Sequence, residues 1–212
     1  MQTEKGQSIE DESMQIIEKE IGPHQYNKLE WPIVRRVIHA TADFDFARNN
    51  KIIFSKSAIE SGISALKNGC NIIVDVNGVL GGFNKQNLKD YRCNAICNIS
   101  NPQIVEEAKK YNKTRAQASM RMAASDMNEG LVVIGNAPTA LLEVIAMVKE
   151  GVTKPALIVG IPVGFVSSPE SKEALQSLDV PYITNIGRKG GSPCASAIVN
   201  ALFKLLRENS SI

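Results

Sequence analysis

Leu131-Val-Val-Ile-Gly135-Asn136-Ala137-Pro138-Thr139-Ala-Leu-Leu-Glu-Val-Ile145 is an apolar run, a short turn, and a helix that opens on proline. Four apolar residues bounded by glycine suit a strand buried on both faces. Pro138 lacks an N–H and has φ preset for a first helical turn, so strand passes to helix within a few residues. The turn is predicted to offer free backbone N–H groups and a positive dipole end, both of which favour an anion. The same grammar recurs twice. Ala156-Leu-Ile-Val-Gly160-Ile-Pro-Val-Gly164-Phe165-Val-Ser-Ser168-Pro169-Glu170 reads as strand, glycine-rich turn, serine cap and proline. Val180-Pro-Tyr-Ile-Thr-Asn-Ile-Gly187-Arg188-Lys189-Gly190-Gly191-Ser192-Pro193 reads as strand, a loop of three glycines with two cations, and a Ser-Pro start to the last helix. That helix is predicted to bury Ile198, Leu202, Leu205 and Leu206.

Working upstream, Lys51–Phe54, Asn71–Val76 and Asn94–Ile99 read as strands, with Asp75 at the carboxyl end of the second. Between the first two, Ser57 and Glu60 match a capping box, Ile59, Ile63 and Leu66 form a buried stripe, and Gly69 supplies the stop. Residues 102–111 and 114–127 read as helices, and Met120, Met122 and Met127 in the second are read as core. Such alternation predicts an α/β fold: one domain over residues 1–212, with a mostly parallel sheet covered by helices on both faces. A helical segment within residues 1–24 contributes to it. The fold is Rossmann-like but lacks a dinucleotide fingerprint, since no G-x-G-x-x-G follows a strand.

In such a sheet ligands collect at the carboxyl ends of the strands, where the three turns would lie side by side. The candidate contacts are Asn136, Ala137 and Thr139 in the first turn, Gly164 and Phe165 in the second, and Arg188, Gly190, Gly191 and Ser192 in the third. Glycine lets backbone approach a ligand closely, and Arg188 and Lys189 add full charge, so the predicted ligand is polyanionic. Helix capping explains any one turn equally well.

Histidine occurs twice in the 212 residues. His24 follows a Gly-Pro break and reads as a neutral surface residue. His39 ends a helix opened by Pro32, whose Ile33, Val34, Val37 and Ile38 recur at helical spacing, with Arg35 and Arg36 one turn before it. It is either a core histidine bonded to a carbonyl or an acid–base group beside cations that hold an anionic substrate. Ser13 falls inside a helix read over residues 8–20, where a hydroxyl usually bonds its own backbone.

The composition is that of an ordinary globular protein, 43% apolar and 22% charged. A net charge of +2 without a basic run argues against nucleic acid as the main partner. No apolar run is long enough to span a bilayer and the amino terminus is polar, so neither membrane insertion nor a signal peptide is expected and the protein is read as cytoplasmic. The four cysteines are sparse, and Cys93 and Cys97 are read as buried free thiols without a metal. The P-loop, G-x-S-x-G and clustered metal-ligand patterns are missing. What is left is one histidine acting on an anionic substrate without cofactor or metal, which fits an isomerase.

Together, Arg36-Val-Ile-His39-Ala, Asn112-Lys-Thr-Arg115, Ile134-Gly-Asn-Ala-Pro-Thr-Ala-Leu141, Gly160-Ile-Pro-Val-Gly-Phe-Val166 with Glu170-Ser-Lys172, and Gly187-Arg-Lys-Gly-Gly-Ser192 resemble the precorrin-8X methylmutase family of cobalamin biosynthesis. The resemblance runs from about Ser13 to the last helix. It implies a homodimeric α/β isomerase that needs no cofactor and moves a methyl group from C-11 to C-12 of a corrinoid, precorrin-8X or cobalt-precorrin-8, giving hydrogenobyrinate or cobyrinate. It further implies His39 as the catalytic residue, substrate contacts at Ser13, Arg36 and Arg115, and hand-off of pigment to neighbouring pathway enzymes. A tetrapyrrole carrier without catalysis is the alternative; it would use the same rim but tolerate loss of His39.

Overall fold

The computed structural model describes residues 3–49 and 51–209. Among them two helices, α1 (Glu4–Ile21) and α2 (Glu30–Thr41), precede a short strand, β1 (Ile52–Phe54). Helix α3 (Ala58–Lys67) leads to β2 (Asn71–Val74), and α4 (Asn77–Gly81) and α5 (Lys85–Asp90) lead on to β3 (Asn94–Ile96). Helices α6 (Pro102–Lys110) and α7 (Arg115–Met122) then precede β4 (Leu131–Ile134). The chain continues through α8 (Pro138–Lys149), β5 (Leu157–Gly160), α9 (Ser168–Gln176) and β6 (Tyr182–Asn185) into α10 (Ser192–Asn209).

The strands form one sheet in the order β1-β6-β5-β4-β2-β3. All neighbours are parallel except β1, which runs antiparallel along β6 at the edge. Because side chains alternate along a strand, Ile72, Val74, Leu131, Val133, Leu157 and Val159 enter one core while Ile73, Val132, Ile134 and Ile158 enter the other. The first core is closed by α2, α3 and α10, and the second by α7, α8 and α9. Leu202, Leu205 and Leu206 of α10 are buried as expected. Each such side chain contributes about 1.5–3 kcal/mol on leaving water.

Two features of this topology position the site. Strands β4, β5 and β6 are consecutive neighbours, so their three carboxyl-end turns do lie side by side. The order also reverses between β2 and β4, with β3 to one side and β5 and β6 to the other, which opens a crevice at their carboxyl ends.

Several local expectations are corrected. Ser57 makes no capping box, because its backbone is left-handed (φ 61°) and its hydroxyl donates to the Lys56 carbonyl at 2.6 Å. A capping box forms instead at Thr114 and Gln117. Ser168 is no cap either: it lies in the first helical turn and donates to Pro162 O, while Ser167 holds the cap position with φ 60°. The helix read over residues 114–127 breaks at Ala123 into a short 3-10 turn, so Met120 and Met127 are core but Met122 is exposed. Helix α1 starts earlier than read, at a Thr3 cap. Cys93 is buried and Cys97 half-buried, both as free thiols.

Candidate active site

Helix α2 buries Ile33, Val34, Val37 and Ile38 at 1% exposure or less, largely against α10, so its other face must turn outward. His39 lies on that outer face in the last turn, and Ala42 ends the helix in a left-handed cap (φ 53°). The imidazole is exposed in an open cleft of ≈ 450 Å³ lined by Arg36, Gly78, Gly82, Ser192 and Asn200. Among the described residues its ring meets no hydrogen-bond partner, so the reading of a core histidine tied to a carbonyl does not hold. Partial burial, and then the Arg36 cation, hold its pKa below 6.5 against the opposing pull of Glu10. At neutral pH the ring is mostly uncharged.

The arginines are engaged with α1. Arg36 pairs with Glu10 at 2.8 Å and still lines the cleft. Arg35 pairs with Glu18, which also accepts the Trp31 indole N–H at 2.7 Å, and lies outside the His39 cleft. Ser13 donates to Ile9 O at 2.8 Å within α1 and likewise lies outside that cleft. His24 is exposed and stacks on Trp31, 3.9 Å between ring centroids.

At the strand ends the first turn differs from expectation. Its N–H groups are not free: Gly135 donates to Asp75 Oδ1 at 3.0 Å, and Asn136 and Ala137 donate to Oδ2 at 2.8 and 2.7 Å. The carboxylate fills the anion seat at the start of α8 from within the protein. Burial raises the Asp75 pKa while the three N–H bonds pull it down. Beside this turn, the Thr139 hydroxyl lies 3.1 Å from that of Thr114, and the next residue, Arg115, is exposed at the start of α7.

In the second turn Phe165 is 84% exposed, and Arg188 of the third turn stands over its ring at 5.6 Å. Lys189 does not add free charge to the rim as expected; its ammonium binds Asp43 at 2.8 Å and Asp45 at 2.7 Å, in the segment just after His39. Gly190 adopts φ 158°, and a Cβ there would collide with the carbonyls of Ile161 and Pro162, so only glycine lets this loop lie against the β5 turn. Beneath it the buried Lys172 donates to the carbonyls of Gly187 and Lys189.

The structure therefore gathers His39, Arg36 and Ser192 around one cleft, and sets Phe165 with Arg188, and Arg115 with Thr139, along the adjoining strand-end rim. Sequence reading missed Gly82 and Asn200 as cleft walls. Asn200 accepts from Asn84 N and donates to Gly82 O, fixing the loop after α4. It also missed the roles of Asp75 and Lys172. A lone acid at the end of a buried strand was the available signal for the first, since a buried carboxylate demands donors.

Fold and site together define an α/β protein with one exposed imidazole beside a strand-end rim of glycines and cations, suited to proton transfer on an anionic small molecule. The family model for precorrin-8X methylmutase matches residues 8–205. A cobalt-precorrin-8 methylmutase of Leptospira interrogans is 50% identical over 96% of this chain and 95% of its own length. One from Methanocaldococcus jannaschii is 45% identical over 93% of both. The crystal structure of a Thermus thermophilus precorrin-8X methyl mutase superposes with a TM-score of 0.89 at 39% identity, covering 96% of this chain and 98% of that one. The chain belongs to the precorrin-8X methylmutase family, and is thus an isomerase that moves a methyl group within one molecule.

Proposed function

We propose that the protein carries a methyl group from C-11 to C-12 of precorrin-8X or cobalt-precorrin-8, giving hydrogenobyrinate or cobyrinate, with His39 as general acid and base. The observation that carries this reading is the exposed His39 ring, without a hydrogen-bond partner among the described residues, in a cleft that Ser192 at the start of α10 also lines. In it, His39 donates a proton to a pyrrole-type nitrogen or conjugated carbon, lowering the barrier to the shift, and takes the proton back afterwards. Such help is worth about 10²- to 10⁴-fold in rate. The carboxylate arms of the macrocycle would meet Arg36, Arg115, Arg188 and the glycine loop, with Ser13, Asn136, Ala137, Thr139, Gly164, Phe165, Gly190, Gly191 and Ser192 as further contacts. Cobalt, where present, enters as part of the substrate, and no resident cofactor is invoked.

The protein acts as a homodimer in this reading. Phe165 and Val166 are 84% and 82% exposed at the tip of the second turn, and a second copy that covers them would complete the rim. No helix among the described residues is long and apolar enough to cross a membrane. We place the enzyme in the cytoplasm as one domain over residues 1–212, passing pigment to neighbouring pathway enzymes through the open mouth of the cleft. The test is to incubate the pure protein with each pigment, with and without cobalt, and follow the visible spectrum for the rearranged chromophore. Turnover is expected for the wild type and none above background for His39→Ala, which still binds the coloured product; a His39→Ala protein that turns over near the wild-type rate refutes the assignment.

A further inference from the structure

Lys172 stands in the middle of α9 at 1% exposure, and among the described residues its ammonium pairs with no carboxylate. It donates to Gly187 O at 2.8 Å and Lys189 O at 2.6 Å, the two carbonyls that frame the tip of the third strand-end loop. Asn185 Nδ2 reaches the same Lys189 carbonyl at 2.9 Å, so this peptide is gripped twice from below. From outside, the Lys189 side chain is pinned to Asp43 and Asp45, one turn beyond His39. The loop is thereby held against the end of the histidine helix on one side and α9 on the other, and Ser192, which lines the same cleft as His39, follows directly from it.

Burying an unpaired ammonium is costly, and a methionine of similar length would fill the same space without that cost. The arrangement makes sense if what the lysine holds matters more than the stability it forgoes. We propose that Lys172 is a positioning residue for the methyl transfer: it holds the Gly187–Gly191 loop in the conformation that receives the substrate's carboxylates, and it sets the distance from Ser192 to His39. The inference rests on the reading of this loop as substrate rim.

The protonation state of Lys172 gives the test a readout that a merely structural lysine lacks. Burial pulls its pKa down to about 8. The groups that face it are Cys194 from α10, whose thiol is pushed up to about 12 and stays neutral, and beyond that thiol Asp43, which is bound to Lys189. Raising the pH through about 8 removes the charge from Lys172 and slackens its grip on the two carbonyls.

The experiment measures kcat and KM from pH 6.5 to 9.5 for the wild type and Lys172→Met, with thermal melts to establish folding. Wild-type KM is expected to rise with pH through the Lys172 transition. Lys172→Met is expected to show KM raised by about 10-fold or more at pH 7 and flat with pH, with kcat within about 3-fold, the pattern of lost positioning rather than lost chemistry. A folded Lys172→Met enzyme with wild-type KM, or one that keeps the alkaline rise, overturns the proposal. Should that variant fail to melt cooperatively, a wild-type KM that stays level across the range overturns it, and a rise that Lys172→Arg abolishes supports it. Wild-type turnover reports on the activity and the ratio of variant to wild type reports on Lys172, so the two readings fail separately.

Discussion

Replacing Asp75 isolates a buried side-chain contact that joins the end of β2 to the turn after β4. Its carboxylate accepts three backbone N–H groups at 2.7–3.0 Å in a fully buried position. Burial raises its pKa, so the native state does not favour the charge itself; what it requires is an acceptor for three donors that meet no other partner among the described residues. Asp75→Asn keeps one oxygen, enough for the pair from Asn136 and Ala137, but turns an amide N–H toward Gly135 N. One orphaned donor costs about 1–3 kcal/mol, and at this chain length about 2 kcal/mol corresponds to a melting point lower by about 4–8 °C. Asp75→Ala orphans all three and should cost about 4 kcal/mol, with part recovered by water, a large share of the 5–15 kcal/mol typical of a native protein. The assays are urea unfolding, where the midpoint should fall at constant slope, and amide hydrogen exchange, where Gly135 to Ala137 should lose protection first. An Asn variant within 1 °C of wild type (about 0.5 kcal/mol or less), or an Ala variant no weaker than Asn, would show that the carboxylate is not what closes this turn.

The remaining predictions concern the cleft and the core. With the protonated ring as donor, kcat/KM falls as pH rises through the depressed His39 pKa; Arg36→Met removes a cation and moves this limb to higher pH, while Glu10→Gln removes an anion and moves it lower. Shifts of the same sign in both variants, read from pH–rate profiles, would sink the electrostatic account of the site. Gly190→Ala drives a Cβ into the Ile161 and Pro162 carbonyls and should cost about 2 kcal/mol in urea unfolding together with pigment affinity. Leu202→Ala, at a fully buried position of α10, should cost about 2–5 kcal/mol while leaving KM unchanged in the protein that remains folded.

The contrast between what sequence reading reached and what it missed follows from the range of the interactions. Alternation along β2 and β4, the helical stripe of α2 and the strand–turn–helix grammar are local patterns with fixed periods, so the sheet, its two cores and its three adjacent turns were legible before any coordinates. His39 was legible as a candidate because it is one of two histidines and follows Arg35 and Arg36 by one helical turn, but only the burial of Val34 and Val37 on the opposite face of α2 decides that its ring is exposed. Partners distant in sequence leave no such trace. Asp75 lies 60 residues from the first N–H it accepts, Lys189 lies 146 residues from Asp43, and Glu143, buried inside an apolar helix, is met by Lys113, Gln117 and Arg121 from outside the helix. Charge in the sequence therefore overstated charge at the rim. Arg36 and Lys189 both hold internal carboxylates, Glu10 and the Asp43–Asp45 pair, which tie α1 to the middle of the histidine helix and the glycine loop to the segment after it. A polyanionic substrate that drew either cation away would loosen one of those joints, and with it one of the ties that hold the histidine helix.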